Sequence, residues 1–316
     1  MQNKTPTVVI LGTGGTIAGT SNSASDNVGY TAAQLTAADL VSAIPALSAF
    51  NLDVEQVAQL DSKDMSFGVW RALALRCAHH LAREDVAGIV ITHGTDTLEE
   101  TAYFLHRVLQ ANKPVVLTAA MRPATSNQAD GPQNLLDAVA VALTVDALGV
   151  MAVVAGNVHG ALEVRKVHTY QLDAFSSGDS GALARVEEGV VRQLRAWPAS
   201  DPICAADQLT STLPALEAAW PQVEIVSSHA GATSRQVLAL VAAGAHGLVV
   251  SATGNGTVHQ SVAAALIQAQ AAGVKVLRAT RCSEGRIVGN AAAELPSAGA
   301  LTPVKARIEL MLQLLA

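Results

Sequence analysis

Aromatic side chains are scarce: three Trp, three Tyr and four Phe make up 3% of 316 residues. Half of the chain is nonetheless hydrophobic, so its core must be closed by Ala, Val and Leu, which suits helices packed tightly onto a sheet. Cysteine is scarce too. Cys77, Cys204 and Cys282 are odd in number and far apart, which gives neither a disulfide framework nor a metal-ligand spacing and fits a reducing compartment. Cys77 reads as a small core residue inside a helix, and Cys282, beside Arg281, is the thiol to test for reactivity. Positive charge is limited: 20 Lys and Arg against 26 Asp and Glu give a net charge of -6. No basic cluster exceeds two residues, so there is no stripe for nucleic acid. No apolar run reaches the ~18 residues of a membrane span. The opening Met1-Gln2-Asn3-Lys4-Thr5-Pro6 leads straight into a short strand, without a long apolar core or cleavage site, so no signal peptide is visible. The expectation is a cytoplasmic protein, unless the N-terminus was trimmed from a periplasmic precursor. No repeat of solenoid period is found.

What is present is a rhythm of strands and helices. Strands are expected at residues 7–11, 52–59, 87–92, 114–118 and 150–155. Helices are expected at 36–44 with Thr36 as cap, from Ser66 to about Arg83, from Thr97 to about Gln110, and at 134–145. Thr97 and Glu100 have capping-box spacing. The continuous apolar character of residues 87–92 marks a strand buried on both faces. Residues 156–160 read as a turn. Near residue 192 the pattern changes, and Pro198, Pro202 and Pro214 fall among Ser, Asp and Thr in a linker-like stretch. Strands then return at 223–226, 247–250 and 274–277, and helices at 234–243, 258–272 and 303–315, the last with Thr302 as cap and Pro303 at its first position. The expected class is α/β: a larger N-terminal domain (1–192) with a doubly wound, mostly parallel sheet, a linker (193–221), and a smaller parallel α/β domain (222–316).

Two segments carry chemistry. Ile10-Leu11-Gly12-Thr13-Gly14-Gly15-Thr16-Ile17-Ala18 and Gly88-Ile89-Val90-Ile91-Thr92-His93-Gly94-Thr95-Asp96-Thr97 each run from a strand into a Gly/Thr-rich turn. In an open α/β sheet such turns lie at the ligand-binding carboxyl ends. They would bring the hydroxyls of Thr16 and Thr95 and the carboxylate of Asp96 into one crevice. A threonine hydroxyl needs a base or a proton relay before it attacks, while the glycines let backbone approach a ligand closely. The competing reading is a phosphate cradle, but Ile17 stands where a dinucleotide fingerprint needs its third glycine, and the P-loop lysine is absent. Asp96 is either a helix cap or a partner for a ligand's amino group. His93, at a strand end, reads as a packed residue rather than a base. Lys166 is either a solvated cation or, near a threonine hydroxyl, a desolvated amine base. Tyr30 follows a Ser/Asn/Asp/Gly-rich stretch (residues 21–29), a mobile loop that would serve as a lid.

Thr13-Gly14-Gly15-Thr16-Ile17-Ala18 and His93-Gly94-Thr95-Asp96-Thr97 resemble the two signatures of the bacterial-type L-asparaginases, the asparaginase/glutaminase amidohydrolases. Asp61-Ser62-Lys63-Asp64-Met65, Glu99–Leu105, Ala119-Ala120-Met121-Arg122-Pro123, Ala129–Leu135 and Gly254-Asn255-Gly256 follow in that family's order. The resemblance runs from about residue 7 to the C-terminus. It implies hydrolysis of the side-chain amide of L-asparagine to aspartate and ammonia, without metal or cofactor. Thr16 would be the nucleophile and Tyr30 its positioning phenol. Thr95, Asp96 and Lys166 would form a second group activating a nucleophile or water. Ser62 and Asp96 would hold the substrate's α-carboxylate and α-amino group, and the Ala120 carbonyl would face the leaving ammonia. Asn255 would reach a partner subunit's site in a homotetramer built from two intimate dimers.

The sequence departs from the family in places. Lys63 stands where many members carry a neutral polar residue, which should weaken the hold on the α-ammonium unless the side chain points away. No residue between Arg286 and Glu294 matches the acidic residue that some members place downstream of Asn255. The paired cysteines of secreted relatives are missing. Three alternatives stay open: a glutaminase-asparaginase, since one methylene separates the substrates; an amino-acid-binding domain without turnover; and a nucleotide-binding module, which Ile17 disfavours.

Overall fold

The first apolar run becomes the middle of the main sheet because both of its faces are covered. In the computed structural model, which describes residues 6–289 and 294–316, the chain divides between Thr210 and Ser211 into two compact units. The opening residues 1–5, read above as leading into a strand, lie outside the described residues.

In the first unit, β1 (Thr7–Gly14) is followed by α1 (Ala37–Ser42), β2 (Asn51–Leu60), α2 (Phe67–Leu81), β3 (Val86–Thr92), α3 (Leu98–Val108), β4 (Pro114–Thr118), α4 (Gly131–Ala142) and β5 (Gly149–Val154). Then come β6 (Asn157–Gly160), the hairpin β7 (Arg165–Lys166) and β8 (Phe175–Ser176), β9 (Ala184–Glu187) and β10 (Val190–Gln193); the short α5 (Leu209–Thr212) spans the division itself. The eight-stranded sheet has the order β10-β9-β6-β5-β4-β3-β1-β2. Strands β1 to β5 are mutually parallel, whereas β6, β9 and β10 pair antiparallel. Val8 and Ile10 join Val90, Val116 and Met151 in a core sealed by Leu135, Ala138 and Val139 of α4. Val9 and Leu11, equally buried, point the other way. Each such side chain contributes ~1.5–3 kcal/mol relative to exposure.

Local chemistry sets the helix starts. Thr36 caps α1, where Asp39 closes a reciprocal capping box. The Ser66 hydroxyl accepts the Val69 amide at the start of α2.

The segment read as a turn at residues 156–160 is different. Ala155 and Gly156 alone make the turn, both with positive φ (51° and 71°), and Asn157–Gly160 is strand β6, antiparallel to β5. Two central residues at positive φ are the signature of a type I′ hairpin, whose twist matches that of the strands. Glu188 and Gly189, at φ 50° and 75°, repeat the device between β9 and β10.

The second unit carries β11 (Val223–Ser227), α6 (Arg235–Ala242), β12 (Gly247–Ala252), α7 (Gln260–Ala271), β13 (Lys275–Thr280) and α8 (Pro303–Gln313). Its sheet is parallel, in the order β11-β12-β13. Leu248, Val250, Leu266 and Val276 form its core with Val226 and Val237. Thr302 caps α8 by accepting the Lys305 amide, with Pro303 in the first turn. No helix of the described residues is long and apolar enough to cross a membrane.

Candidate active site

Four neighbouring parallel strands, β4, β3, β1 and β2, deliver their carboxyl ends side by side. β1 leads on to β2 at one flank, while β3 leads on to β4 at the other. The crevice between β1 and β3 is therefore the point where the winding reverses, the place where open sheets bind ligands. The turns there lie in direct contact. A Cβ on Gly15 (φ +83°) would fall 2.3 Å from the Gly94 Cα, and one on Gly94 would fall 2.4 Å from the Ser62 Oγ. Only glycine permits that approach, so the turns carrying Thr16, Thr95 and Ser62 are held together by the absence of two side chains.

Thr16 is buried, and its hydroxyl lies 2.7 Å from the Tyr30 phenol oxygen. The loop that brings Tyr30 there is tied down. Thr20 and Thr31 exchange backbone hydrogen bonds at its base, the Asn127 amide donates to the Ala24 carbonyl (2.9 Å), and the Ser126 hydroxyl donates to Asn27 Oδ1 (2.6 Å). Asp26 accepts the Val28 and Gly29 amides, which hold its carboxyl below the usual range. The stretch expected to be mobile is thus docked against residues 123–127.

Across the crevice, Lys166 Nζ donates to the Thr95 hydroxyl oxygen at 2.8 Å and to Asp96 Oδ1 at 2.6 Å. Thr95 is buried, whereas Asp96 is half-exposed. Ser62, also buried, accepts the Asp96 amide on Oγ (3.2 Å) and the Thr97 hydroxyl on its carbonyl (2.8 Å). The Thr97 contact corrects the capping box expected with Glu100. Thr97 does sit at the N-cap of α3 but makes no side-chain cap bond, because its hydroxyl is spent on Ser62 across the seam.

His93 is fully buried, with Nδ1 2.7 Å from the Gly94 carbonyl and Nε2 2.9 Å from the Thr101 hydroxyl. A carbonyl only accepts, so this network assigns the proton to Nδ1 and leaves Nε2 as acceptor. Burial depresses its pKa to about 4. His93 is a neutral support for Gly94 rather than a base in the crevice.

Ala120, after β4, is buried. The turn around it is held by Asn134 and Asp130, two residues of the Ala129–Leu135 segment whose sequence alone assigns them no role. Asn134 Nδ2 donates to the Ala119 carbonyl (2.9 Å), while the Asp130 carboxylate accepts the Met121 and Arg122 amides at 3.0 and 2.9 Å. Burial pushes the Asp130 carboxyl up. A signal was present: Asp130 precedes Gly131-Pro132 at the start of α4 and makes no cap bond there, which frees it for the turn.

Lys63 is turned to its own neighbours. Its ammonium pairs with the Asp64 carboxylate and lies 3.4 Å from Asp61, with 59% of the side chain exposed. The bond to Asp64 raises its pKa. Asn255 lies in the second unit, where its amide donates to the Val288 carbonyl (2.8 Å) and accepts the Val288 amide (2.7 Å). Of the stretch scanned for an acidic residue after Asn255, residues 290–293 lie outside the described residues. Among the described residues, no group of three or more His, Cys, Asp or Glu is placed to hold a metal ion.

Two family models match the chain: "Asparaginase, N-terminal" over residues 7–198 and "Glutaminase/Asparaginase C-terminal domain" over residues 222–316. The chain is 38% identical to L-asparaginase 2 of Escherichia coli, an alignment covering 98% of this chain and 89% of that one. It is also 38% identical to the glutaminase-asparaginase of Pseudomonas fluorescens, over 99% and 87%. The crystal structure of a probable cytoplasmic L-asparaginase from Campylobacter jejuni superposes with a TM-score of 0.89 at 35% identity, covering 98% of this chain and 95% of that chain.

Proposed function

The chain belongs to the asparaginase family, and from that premise we propose that its crevice hydrolyses the side-chain amide of L-asparagine to L-aspartate and ammonia through Thr16. The observation that carries this reading is the position of Lys166: one amine touches both Thr95 and Asp96 in the turn that meets Gly15 backbone to backbone. Amide hydrolysis needs a nucleophile, a proton relay and a grip on the amino acid's two charged groups, and the crevice supplies each.

The Thr16 hydroxyl attacks the amide carbon; as its proton passes to the Tyr30 oxygen 2.7 Å away, the phenol's own proton moves on to the amide nitrogen, so Tyr30 is neutral before and after the step. The C–N bond then breaks, and the nitrogen leaves as ammonia with that proton. The Ala120 carbonyl accepts an N–H of the departing amide. Water then attacks the Thr16 ester, releasing aspartate and restoring the hydroxyl. Thr95 accepts a hydrogen bond from Lys166, so its own proton is free for the water or the developing oxyanion. Asp96 receives the α-ammonium. Ser62 Oγ accepts the Asp96 amide, which leaves its hydroxyl proton for the α-carboxylate. Lys63, paired with Asp64 and Asp61, stays outside this charge pattern.

A glutaminase-asparaginase activity is the second reading, favoured by the equal 38% identity to the Pseudomonas enzyme of that name. One methylene in a pocket is worth only ~1–3 kcal/mol of discrimination. The assembly proposed with this reading is a homo-oligomer, a tetramer in the family's usual form, with Asn255 serving a partner's site. The three cysteines are free, which suits a reducing cytoplasm.

The test is ammonia release from L-asparagine and L-glutamine across a concentration series, with Thr16→Ala alongside. Turnover lost in a folded Thr16→Ala variant supports the nucleophile, and the ratio of the two kcat/KM values names the substrate. Undiminished turnover in that variant removes Thr16 from the role.

A further inference from the structure

Lys166 must hold two contacts within 2.8 Å from a hairpin that is buried at its base, at Val164, Ala174 and Phe175, but short and exposed beyond it. β7 and β8 pair over two residues each, Arg165 with Ser176 and Lys166 with Phe175, and residues 167–173 between them are all exposed. The loop is partly tied to itself: the Val167 amide donates to the Ala174 carbonyl (2.8 Å), and the amides of Tyr170 and Gln171 donate to His168 Nδ1. The Asn157 side-chain amide of β6 also donates to Asp173 Oδ1 at 3.4 Å, but none of these bonds ties the loop to the turn that carries Ala120.

Arg122 makes such a link. It is a charged side chain only 6% exposed, and its Nη1 donates to the Tyr170 carbonyl at 2.9 Å and to the Met121 carbonyl at 3.2 Å. Its guanidinium lies over the Tyr170 ring, with Cζ 4.1 Å from the centroid. Its own amide is fixed by the Asp130 carboxylate, two residues after Ala120. Burying a guanidinium is costly unless it is well bonded. Here Nη1 serves a loop carbonyl and a turn carbonyl and the guanidinium covers an aromatic ring, while Nε has no hydrogen-bond partner among the described residues, so the burial is offset only through the contacts to Tyr170 and Met121.

We propose that Arg122 is a positioning residue: through Tyr170 it holds the β7–β8 hairpin, and with it Lys166, in register with the turn that carries the Ala120 carbonyl. The inference rests on the reading of Lys166 as part of the relay. A hairpin released from Arg122 lets the amine drift, and a misplacement of about 1 Å in such a site costs up to about 100-fold in rate.

The experiment measures kcat and KM for L-asparagine, with thermal unfolding, for Arg122→Met, Tyr170→Ala and Tyr170→Phe, each also in a Lys166→Met background assayed at high enzyme concentration. Arg122→Met is expected to lower kcat about 10-fold or more, with KM within about 3-fold. In the Lys166→Met background it is expected to change kcat by less than about 2-fold, because the group it positions is gone. Tyr170→Ala should show a smaller loss with the same non-additivity. Tyr170→Phe, which keeps both ring and carbonyl, should restore wild-type values. An equal loss of kcat in both backgrounds, a loss confined to KM, or an unchanged kcat would overturn the proposal. If Arg122→Met does not fold, the Tyr170 pair decides by the same criteria. Lys166→Met with intact kcat would overturn the underlying relay reading, whereas an impaired Lys166→Met beside an unaffected Arg122→Met would overturn the positioning role alone.

Discussion

Gly15 and Gly94 meet backbone to backbone: a Cβ on Gly15 would lie 2.3 Å from the Gly94 Cα. That contact joins the turn after β1 to the turn after β3 and so fixes Thr16 relative to Thr95. Gly15→Ala forces both an L-residue into a positive-φ extended conformation (φ 83°, ψ -172°) that is essentially reserved for glycine, at a cost of ~1–3 kcal/mol, and a displacement of main chain that has no flexible end to move. The expected outcome is at least about 2 kcal/mol lost in urea unfolding and about 100-fold or more lost in ammonia release. Gly181→Ala is the control. Gly181 also has positive φ (+68°) but nothing within 4 Å of an added Cβ, so about 1 kcal/mol of strain with unchanged turnover is expected there. Equal effects from the two variants would mean that the contact does not matter.

Tyr30→Phe removes one oxygen 2.7 Å from the Thr16 hydroxyl and leaves the lid's anchors at Ala24 and Asn27 in place. If the phenol relays the Thr16 proton, kcat should fall about 10²–10⁴-fold, with KM little changed. A fall in kcat/KM arising from KM alone would make Tyr30 a binding residue instead. Steady-state kinetics on asparagine separate the two outcomes.

Lys63→Gln tests the departure at residue 63. The ammonium is committed to Asp64 and Asp61 on an exposed surface, where solvent screens such pairs and they add little to stability. KM for asparagine should stay within about 2-fold, and the urea midpoint should not move measurably. A clear gain in affinity would show that the cation reaches the α-ammonium position after all.

The sheet and the crevice were legible because their signals are local. Thr7–Leu11 and Val86–Thr92 are continuous apolar runs ending in Gly/Thr turns, Thr36 and Thr302 sit at the caps expected of them, and Ser66 caps the helix expected to start there. What stayed hidden depends on partners far along the chain. Thr97 and Glu100 have the spacing of a capping box, but Ser62, 35 positions away, takes the Thr97 hydroxyl. Asn157–Gly160 looked like a turn because Gly156 lies beside it and nothing in the sequence marks Ala155 for positive φ. Ala184–Glu187 and Val190–Gln193 are short edge-side strands whose pairing, not their composition, defines them. Nothing local to Ala119–Pro123 marks Arg122 for burial, because Tyr170, the residue that covers it, lies 48 positions on.

His93 gives the pH prediction. The Trp70 indole N–H donates to the Thr101 hydroxyl (2.9 Å), Thr101 donates to His93 Nε2 (2.9 Å), and His93 Nδ1 donates to the Gly94 carbonyl (2.7 Å). This chain is satisfied only with a neutral ring, and burial lowers the folded pKa to about 4 from an unfolded value of ~6.5. As pH falls below ~6.5 the unfolded chain takes up a proton that the folded one refuses until about pH 4. The stability contributed by neutral His93 is therefore complete above that window and lost through it. At ~1.4 kcal/mol per unit, the loss approaches about 3 kcal/mol between pH 7 and pH 4. Asp130 and Asp137, whose carboxyls are pushed up by burial, act in the opposite sense and would mask it in the wild type alone. The comparison with His93→Gln cancels them, since both proteins keep the same carboxyls. The wild-type advantage in urea unfolding free energy should shrink by about 3 kcal/mol from pH 7 to pH 4; a difference flat with pH would mean that the ring accepts its proton in the folded state as readily as in the unfolded one.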